Sequence, residues 1–219
     1  MIIIGVDEAG RGSVVGPMVM GLAGVKDLKK LENLDIRDSK EMSKEEREKV
    51  FEDLIKILDY YDYVIIEAKV INDMMSKNIN LTNIELKFLR ELLEKIEDDF
   101  ELYLDSFSIN KEKIRQIIEN FGIKNLRKII VDFDADKKYK ITSAASIIAK
   151  VIRDREIRKL EEELNIPIGS GYPHDERTRK FIEYALRNRK YLEYIRKEWQ
   201  TVDKIREELF QTKLTQFIK

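Results

Sequence analysis

Cysteine is absent from the 219-residue chain, histidine occurs once, at His174, and proline only three times. Without cysteine there is neither a disulfide framework nor a thiolate metal site. A single imidazole argues against a zinc centre and against a Ser-His-Asp triad. Metal chemistry must then use oxygen ligands, which suit Mg²⁺ or Mn²⁺. Excess charge of one sign is also missing: 41 Lys and Arg stand against 42 Asp and Glu, so any nucleic-acid footprint is local. No apolar run is long enough to span a bilayer. The opening MIII lacks a basic leader and a small-residue cleavage site, so the expected location is cytoplasmic. Charged residues, at 38%, and hydrophobic residues, at 43%, are plentiful. That composition supports one ordinary core with a small appendage.

The hydrophobic patterning gives strands at 2–7, 18–25, 61–70, 101–105 and 127–133. The first is β-branched, short and continuously apolar, as in a strand buried on both faces. Helical spacing appears from Ser43, whose SKEE reads as a capping box, to about Leu58. It recurs at 82–97, with Thr82 as cap, at 110–120 from Asn110, and at 142–164. After the loop IPIGSGYP come helices at about 174–188, 190–198 and 203–217. Strands, then strand–helix alternation, then a helical tail imply a mixed α/β sheet flanked by helices, with a small helical C-terminal subdomain. The expected divisions are 1–164, 165–210 and a tail at 211–219.

Three strands end in acids: Asp7, Asp105, and the set Asp132, Asp134 and Asp136. In open α/β sheets, sites form beyond the carboxyl ends of strands. Acids gathered there without His or Cys suit hard cations, and two such ions can drive phosphodiester hydrolysis. Each Asp taken alone also fits a strand or helix cap. In an extended chain Asp132, Asp134 and Asp136 point the same way, whereas the adjacent Asp7 and Glu8 cannot.

The stretches GVDEAGRGSVVGP, RDSKEMS, YLDSF, DADKKYKITSAASIIAKVIRDRE, GSGYPHDERTR and EWQTV are collinear and together resemble ribonuclease HII, particularly its archaeal form. The resemblance runs from residue 2 to about 202. It implies a ribonuclease H-like fold and a metal-dependent endonuclease that cuts the RNA strand of RNA–DNA hybrids. It also implies cleavage 5′ of single ribonucleotides in duplex DNA, leaving 3′-hydroxyl and 5′-phosphate ends. By motif the catalytic acids, holding two Mg²⁺ or Mn²⁺ ions, fall on Asp7, Glu8, Asp105 and Asp136, with Asp134 as the alternative for the last. The resemblance has Asp7 bridging the metals and Glu8 reaching them from the turn. Backbone around Gly10, Arg11 and Gly12 is implied to read the 2′-hydroxyl, and Tyr172 to stack on the sugar at the RNA-to-DNA step. Arg37 and Lys40 could hold phosphates, as could Ser143, Ser146 and Lys150 at the matched helix start. Ser13 stands where many members carry Pro, and His174 and Glu176 replace the more usual Ser and Pro. His174 reads as a solvated helix-start residue.

Lys137, Lys138, Lys140, Arg187, Arg189, Lys190, Arg196 and Lys197 form local basic clusters that could grip a duplex. At the end of the chain Gln211, Leu214, Phe217 and Ile218 fit the Q-x-x-L-x-x-F-Φ pattern of boxes that bind the sliding clamp, PCNA, as a 3₁₀ turn. A final amphipathic helix packing on its own domain would give the same spacing. The chain is expected to act as a monomer. Two other readings share the acids: a ribonuclease H-fold nuclease acting on DNA junctions, and a non-catalytic, clamp-recruiting nucleic-acid-binding protein.

Overall fold

The computed structural model describes residues 1–34, 36 and 42–217, apart from the side chains of 210–217. The chain divides into two compact units, each with its own core.

The first unit holds the sheet, of order β3-β2-β1-β4-β5. Its strands are β1 (Ile2–Ala9), β2 (Met18–Val25), β3 (Tyr60–Ile66), β4 (Phe100–Asp105) and β5 (Leu126–Asp132). β1 runs antiparallel to β2 and parallel to β4, and β4 runs parallel to β5. The sheet is therefore mixed, as expected. Ile2, Ile4 and Val6 face one core, shared with Leu86 and Leu89 of α3 (Leu81–Leu93) and Ile114 of α4 (Lys111–Glu119). Ile3 and Ala9 belong to the other, with Phe51 and Leu54 of α1 (Lys44–Ile57) and the alanine-rich start of α6 (Lys140–Leu164). Helices on both faces explain why β1 and β2 are apolar runs rather than alternations. Glycine lets α6 lie against the sheet: a Cβ on Gly21 would stand 2.6 Å from the Ala145 carbonyl oxygen. α1 begins with the expected capping box: Ser43 accepts from the Glu46 N–H at 3.1 Å, and Glu46 accepts from the Ser43 N–H at 2.7 Å.

The second unit comprises Gly10–Met18, Ile66–Asn80 and Arg153–Lys219, so the units interleave along the chain. It contains α2 (Ala68–Ser76), the distal part of α6, α7 (Glu176–Arg187), a 3₁₀ turn (Arg189–Tyr194) and α8 (Gln200–Phe217). Its core includes Val14, Val15, Ile168, Phe181, Ile195 and Val202.

Several expected elements differ. Residues 68–70 do not extend β3 but open α2, because burial of Ala68 and Ile71 follows helical spacing after an extended Glu67. Thr82 lies inside α3 rather than capping it. The expected helix at 190–198 is reduced to the 3₁₀ turn. β5 stops at Asp132, Asp134 is left-handed (φ 50°), and Asp136 sits in α5 (Ala135–Lys138). The extended chain that would have aligned the three acids is therefore broken by a turn. α8 carries α-helical backbone through Phe217, not a separate 3₁₀ turn at the tail.

Candidate active site

The parallel strands set the site. Val6 pairs with Leu104, Leu104 with Val131, and Asp105 with Asp132. Asp7, Asp105 and Asp132 are thus consecutive members of one row at the carboxyl edge. Because Val6 and Leu104 face the α3 side, alternation turns Asp7 and Asp105 toward α6.

The members of the row differ sharply. Asp7 is only 5% exposed, and its carboxyl is pushed up to about 7. Burial is the main cause, and repulsion from Asp105 adds to it. A hydrogen bond from Ser146, the Lys150 charge and the Glu8 N–H, 2.8 Å from Asp7 Oδ1, only partly offset this. Asp105 Oδ1 accepts the Ala135 N–H at 2.8 Å, which ties β4 to the start of α5, where Asp136 is buried. Asp132 lies in a different environment: Lys111 and Lys138 each donate to it at 2.8 Å and hold its carboxyl well below the usual range. Asp134 faces solvent, with Lys137 3.4 Å away. Asp136 is therefore the buried member of the alternating set.

β1 continues through Ala9, so Glu8 remains in the strand on the face opposite Asp7 instead of arriving from the turn. Among the described residues, no three Asp, Glu, His or Cys side chains form a set that could hold a metal ion as they stand.

Ser143 and Ser146 are buried, and both hydroxyls are engaged internally. Ser143 donates to the Asp136 carbonyl, and Ser146 is hydrogen-bonded to Asp7. The Ser143 N–H donates to the Tyr139 carbonyl at 3.0 Å, so it is not an open phosphate donor at a helix start. Arg37, Lys40 and Ile218 lie outside the described residues, as do the side chains of Gln211, Leu214 and Phe217.

The glycine-rich turn and the tyrosine loop belong to the second unit. Gly10 has φ +82°, and a Cβ there would stand 2.5 Å from Arg153 Nε. Gly12 is exposed, and among the described residues nothing lies within 4 Å of the place its Cβ would occupy. Arg11 is half-buried. Tyr172 lies under the Arg153 guanidinium, 4.7 Å from ring to cation, and stacks on His174 at 5.8 Å. Its loop is held by Asp175, which accepts the Ser170 N–H at 2.7 Å and the Arg177 N–H at 2.9 Å. Although burial opposes it, these bonds hold the Asp175 carboxyl down to about 2. Sequence reasoning missed Arg153, although it interrupts the stripe Ala145, Ala149, Arg153, Ile157, and a charge on such a face signals a buried role. It also counted Arg196 among the cations that could grip a duplex, whereas Arg196 is fully buried.

The mixed five-stranded sheet with helices on both faces is the ribonuclease H-like α/β fold, which solved ribonucleases H2 share. The ribonuclease HII family model matches residues 4–202. Ribonuclease HII of Methanococcus aeolicus is 41% identical, with 99% of this chain and 93% of that protein covered. The solved ribonuclease H2 of Pyrococcus horikoshii OT3 superposes with a TM-score of 0.84 at 37% identity, covering 95% and 98% of the two chains. A ribonuclease HII of Archaeoglobus fulgidus, solved in complex with PCNA, gives 0.82 at 31% identity, covering 91% and 95%. The chain belongs to the ribonuclease HII family and is a ribonuclease H, a hydrolase of the endonuclease type. Among the described residues no helix is long and apolar enough to cross a membrane.

Proposed function

We propose that the chain hydrolyses the RNA strand of RNA–DNA hybrids and cuts 5′ of single ribonucleotides in duplex DNA, leaving 3′-hydroxyl and 5′-phosphate ends. One arrangement carries this reading: Asp7 is buried beside Asp105 at the sheet edge, where burial first, and repulsion from Asp105 after it, push its carboxyl up to about 7. Asp7, Asp105 and Asp136 would hold two Mg²⁺ or Mn²⁺ ions, and Glu8 would join them only if the end of β1 turned its side chain to the Asp7 face. The donors are all oxygen, as hard cations prefer, and the repulsion between Asp7 and Asp105 is what a divalent ion relieves. When bound, such ions polarise the phosphodiester and activate a water for attack. Lys150 and the Ser146 hydroxyl favour the ionised form of Asp7, which is the form able to bind cations. Because Asp7 must ionise to hold a cation, the Mg²⁺ concentration needed for half-maximal activity should fall as the pH rises toward about 7. Asp132 is neutralised by Lys111 and Lys138 and serves the fold.

Ribose recognition falls to the backbone of Gly10, Arg11 and Gly12, with Tyr172 stacking on the sugar. Gly12 supports this: it has neither a positive φ nor a crowding neighbour, so its missing side chain leaves room for something outside the chain. That a ribonuclease HII of Archaeoglobus fulgidus has been solved in complex with PCNA supports the clamp as a partner. Gln211, Leu214, Phe217 and Ile218 would bind the PCNA clamp, with the end of α8 rewinding as it docks. The protein would work in the cytoplasm, in replication and repair.

The deciding assay is cleavage of duplex DNA containing one ribonucleotide, with and without Mg²⁺, with product ends mapped. The expected result is a single Mg²⁺-dependent cut on the 5′ side of the ribonucleotide. Equal cutting of an all-DNA duplex, or cleavage indifferent to chelator, would refute the reading.

A further inference from the structure

Arg196 is fully buried in the second unit. Removing a guanidinium from water is costly, and an apolar side chain of similar volume avoids that cost. The reason for an arginine here lies in what it grips. Its Nη1 donates to the Arg11 carbonyl at 3.0 Å and its Nε to the Gly16 carbonyl at 3.2 Å. Its own N–H donates to the Val14 carbonyl at 2.9 Å, and Val15 bridges to Ile195. The guanidinium is backed by the Trp199 ring at 5.2 Å. One residue therefore holds the 11–16 backbone at three carbonyls.

The peptide joining Arg11 to Gly12 is trans. In a trans peptide the carbonyl and the following N–H point opposite ways. With the Arg11 carbonyl drawn to Arg196, the Gly12 N–H is directed away from it. Arg153 braces the same turn separately, donating from Nη2 to Ser13 Oγ at 3.1 Å and to the Ser170 carbonyl at 2.7 Å. We propose that Arg196 is the positioning residue that orients the Gly10–Gly12 backbone donors for the 2′-hydroxyl, a role that rests on the substrate reading above.

The experiment measures kcat and KM of the full chain on a duplex with one ribonucleotide, on the same duplex with 2′-fluoro at that position, and on all-DNA. Every assay runs well below the Tm of each variant, and duplex affinity is measured in parallel. Arg196→Lys keeps the charge but loses the fork. It should lower kcat/KM on the ribonucleotide substrate by about 10- to 100-fold, mainly through kcat, with duplex affinity unchanged. The preference for ribose over 2′-fluoro should narrow. A lower Tm with unchanged kcat/KM and unchanged preference would overturn the proposal. Should Arg196→Lys fail to fold, Trp199→Leu removes the ring behind the guanidinium; it should narrow the preference to a smaller degree, and an unchanged preference is again the overturning result. Wild-type protein cutting all-DNA as fast as the ribonucleotide duplex would remove the substrate reading and this proposal with it. Wild-type discrimination alongside unaltered variants would remove the proposal alone.

Discussion

The sheet edge and the glycine turn both bury charge, yet they treat it oppositely. At the edge, Asp7 loses hydration, faces Asp105 and receives only partial relief, so its carboxyl sits near 7. In the turn, Arg196 and Arg153 also lose hydration, but Arg196 Nη1 and Nε reach backbone carbonyls, and Arg153 Nη2 reaches Ser13 and the Ser170 carbonyl. The turn draws its buried cations onto its own backbone, whereas the edge sets two carboxylates against each other. Repulsion of that kind marks where a ligand binds, and internal bonding marks what holds the binding parts still.

The largest effect expected from breaking this contrast is at Asp7. Asp7→Asn should lower cleavage by about three orders of magnitude or more while hybrid binding persists. Rate and gel-shift measurements on one preparation check both halves; normal turnover would remove Asp7 from the chemistry.

Stability should move the other way. Below about pH 4 the Asp7 carboxyl is protonated in both folded and unfolded chains and exerts no penalty. Between the ordinary value of 3.8 and about 7 the unfolded chain ionises while the folded one keeps its proton, so stability falls with pH. A rise of that size is worth up to about 4 kcal/mol once the pH exceeds 7. In chelator at pH 8, Asp7→Asn should therefore be more stable than wild type, and the gap should close below pH 4. Denaturant titrations at the two pH values test it, and Mg²⁺ should raise the wild-type Tm more than that of the variant.

Next come the two glycines of the turn. Gly10→Ala meets Arg153 and a positive φ, and should cost about 1–3 kcal/mol. Gly12→Ala meets nothing among the described residues and should alter stability by less than about 0.5 kcal/mol. It should nonetheless slow cleavage at a ribonucleotide. Thermal melts and rates for the pair separate a glycine required by the fold from one required by a ligand; unimpaired cleavage by Gly12→Ala would erase the distinction.

The smallest effect belongs to Asp132. Its carboxyl is depressed by two lysines, so its contribution is present above about pH 4 and lost as the pH falls below that. Asp132→Asn should leave turnover near wild type and remove a slight stability advantage at neutral pH. A collapse in rate would mean that Asp132, not Asp136, belongs with Asp7 and Asp105.

Much of this was legible in the sequence. Continuous apolar strands announced a sheet covered on both faces, and the Ser43–Glu46 box appeared where SKEE implied it. What escaped had physical reasons. The Asp132–Asp136 alternation presumed an extended chain, and a left-handed Asp134 ended it. Arg196 looked like part of a surface cluster because sequence does not report that its neighbours enclose it.

The sequence by itself determined the chemical alphabet: no thiols, one imidazole, acids after strands, and glycines around an arginine. Composition and local periodicity are properties of neighbours along the chain, so they could be read directly. Only the tertiary structure decided which acids go unrelieved, since Asp7 gains Asp105 through parallel pairing and Asp132 gains Lys111 from a helix 21 positions away. Charge balance depends on distance and burial in space, and neither is written in the order of residues.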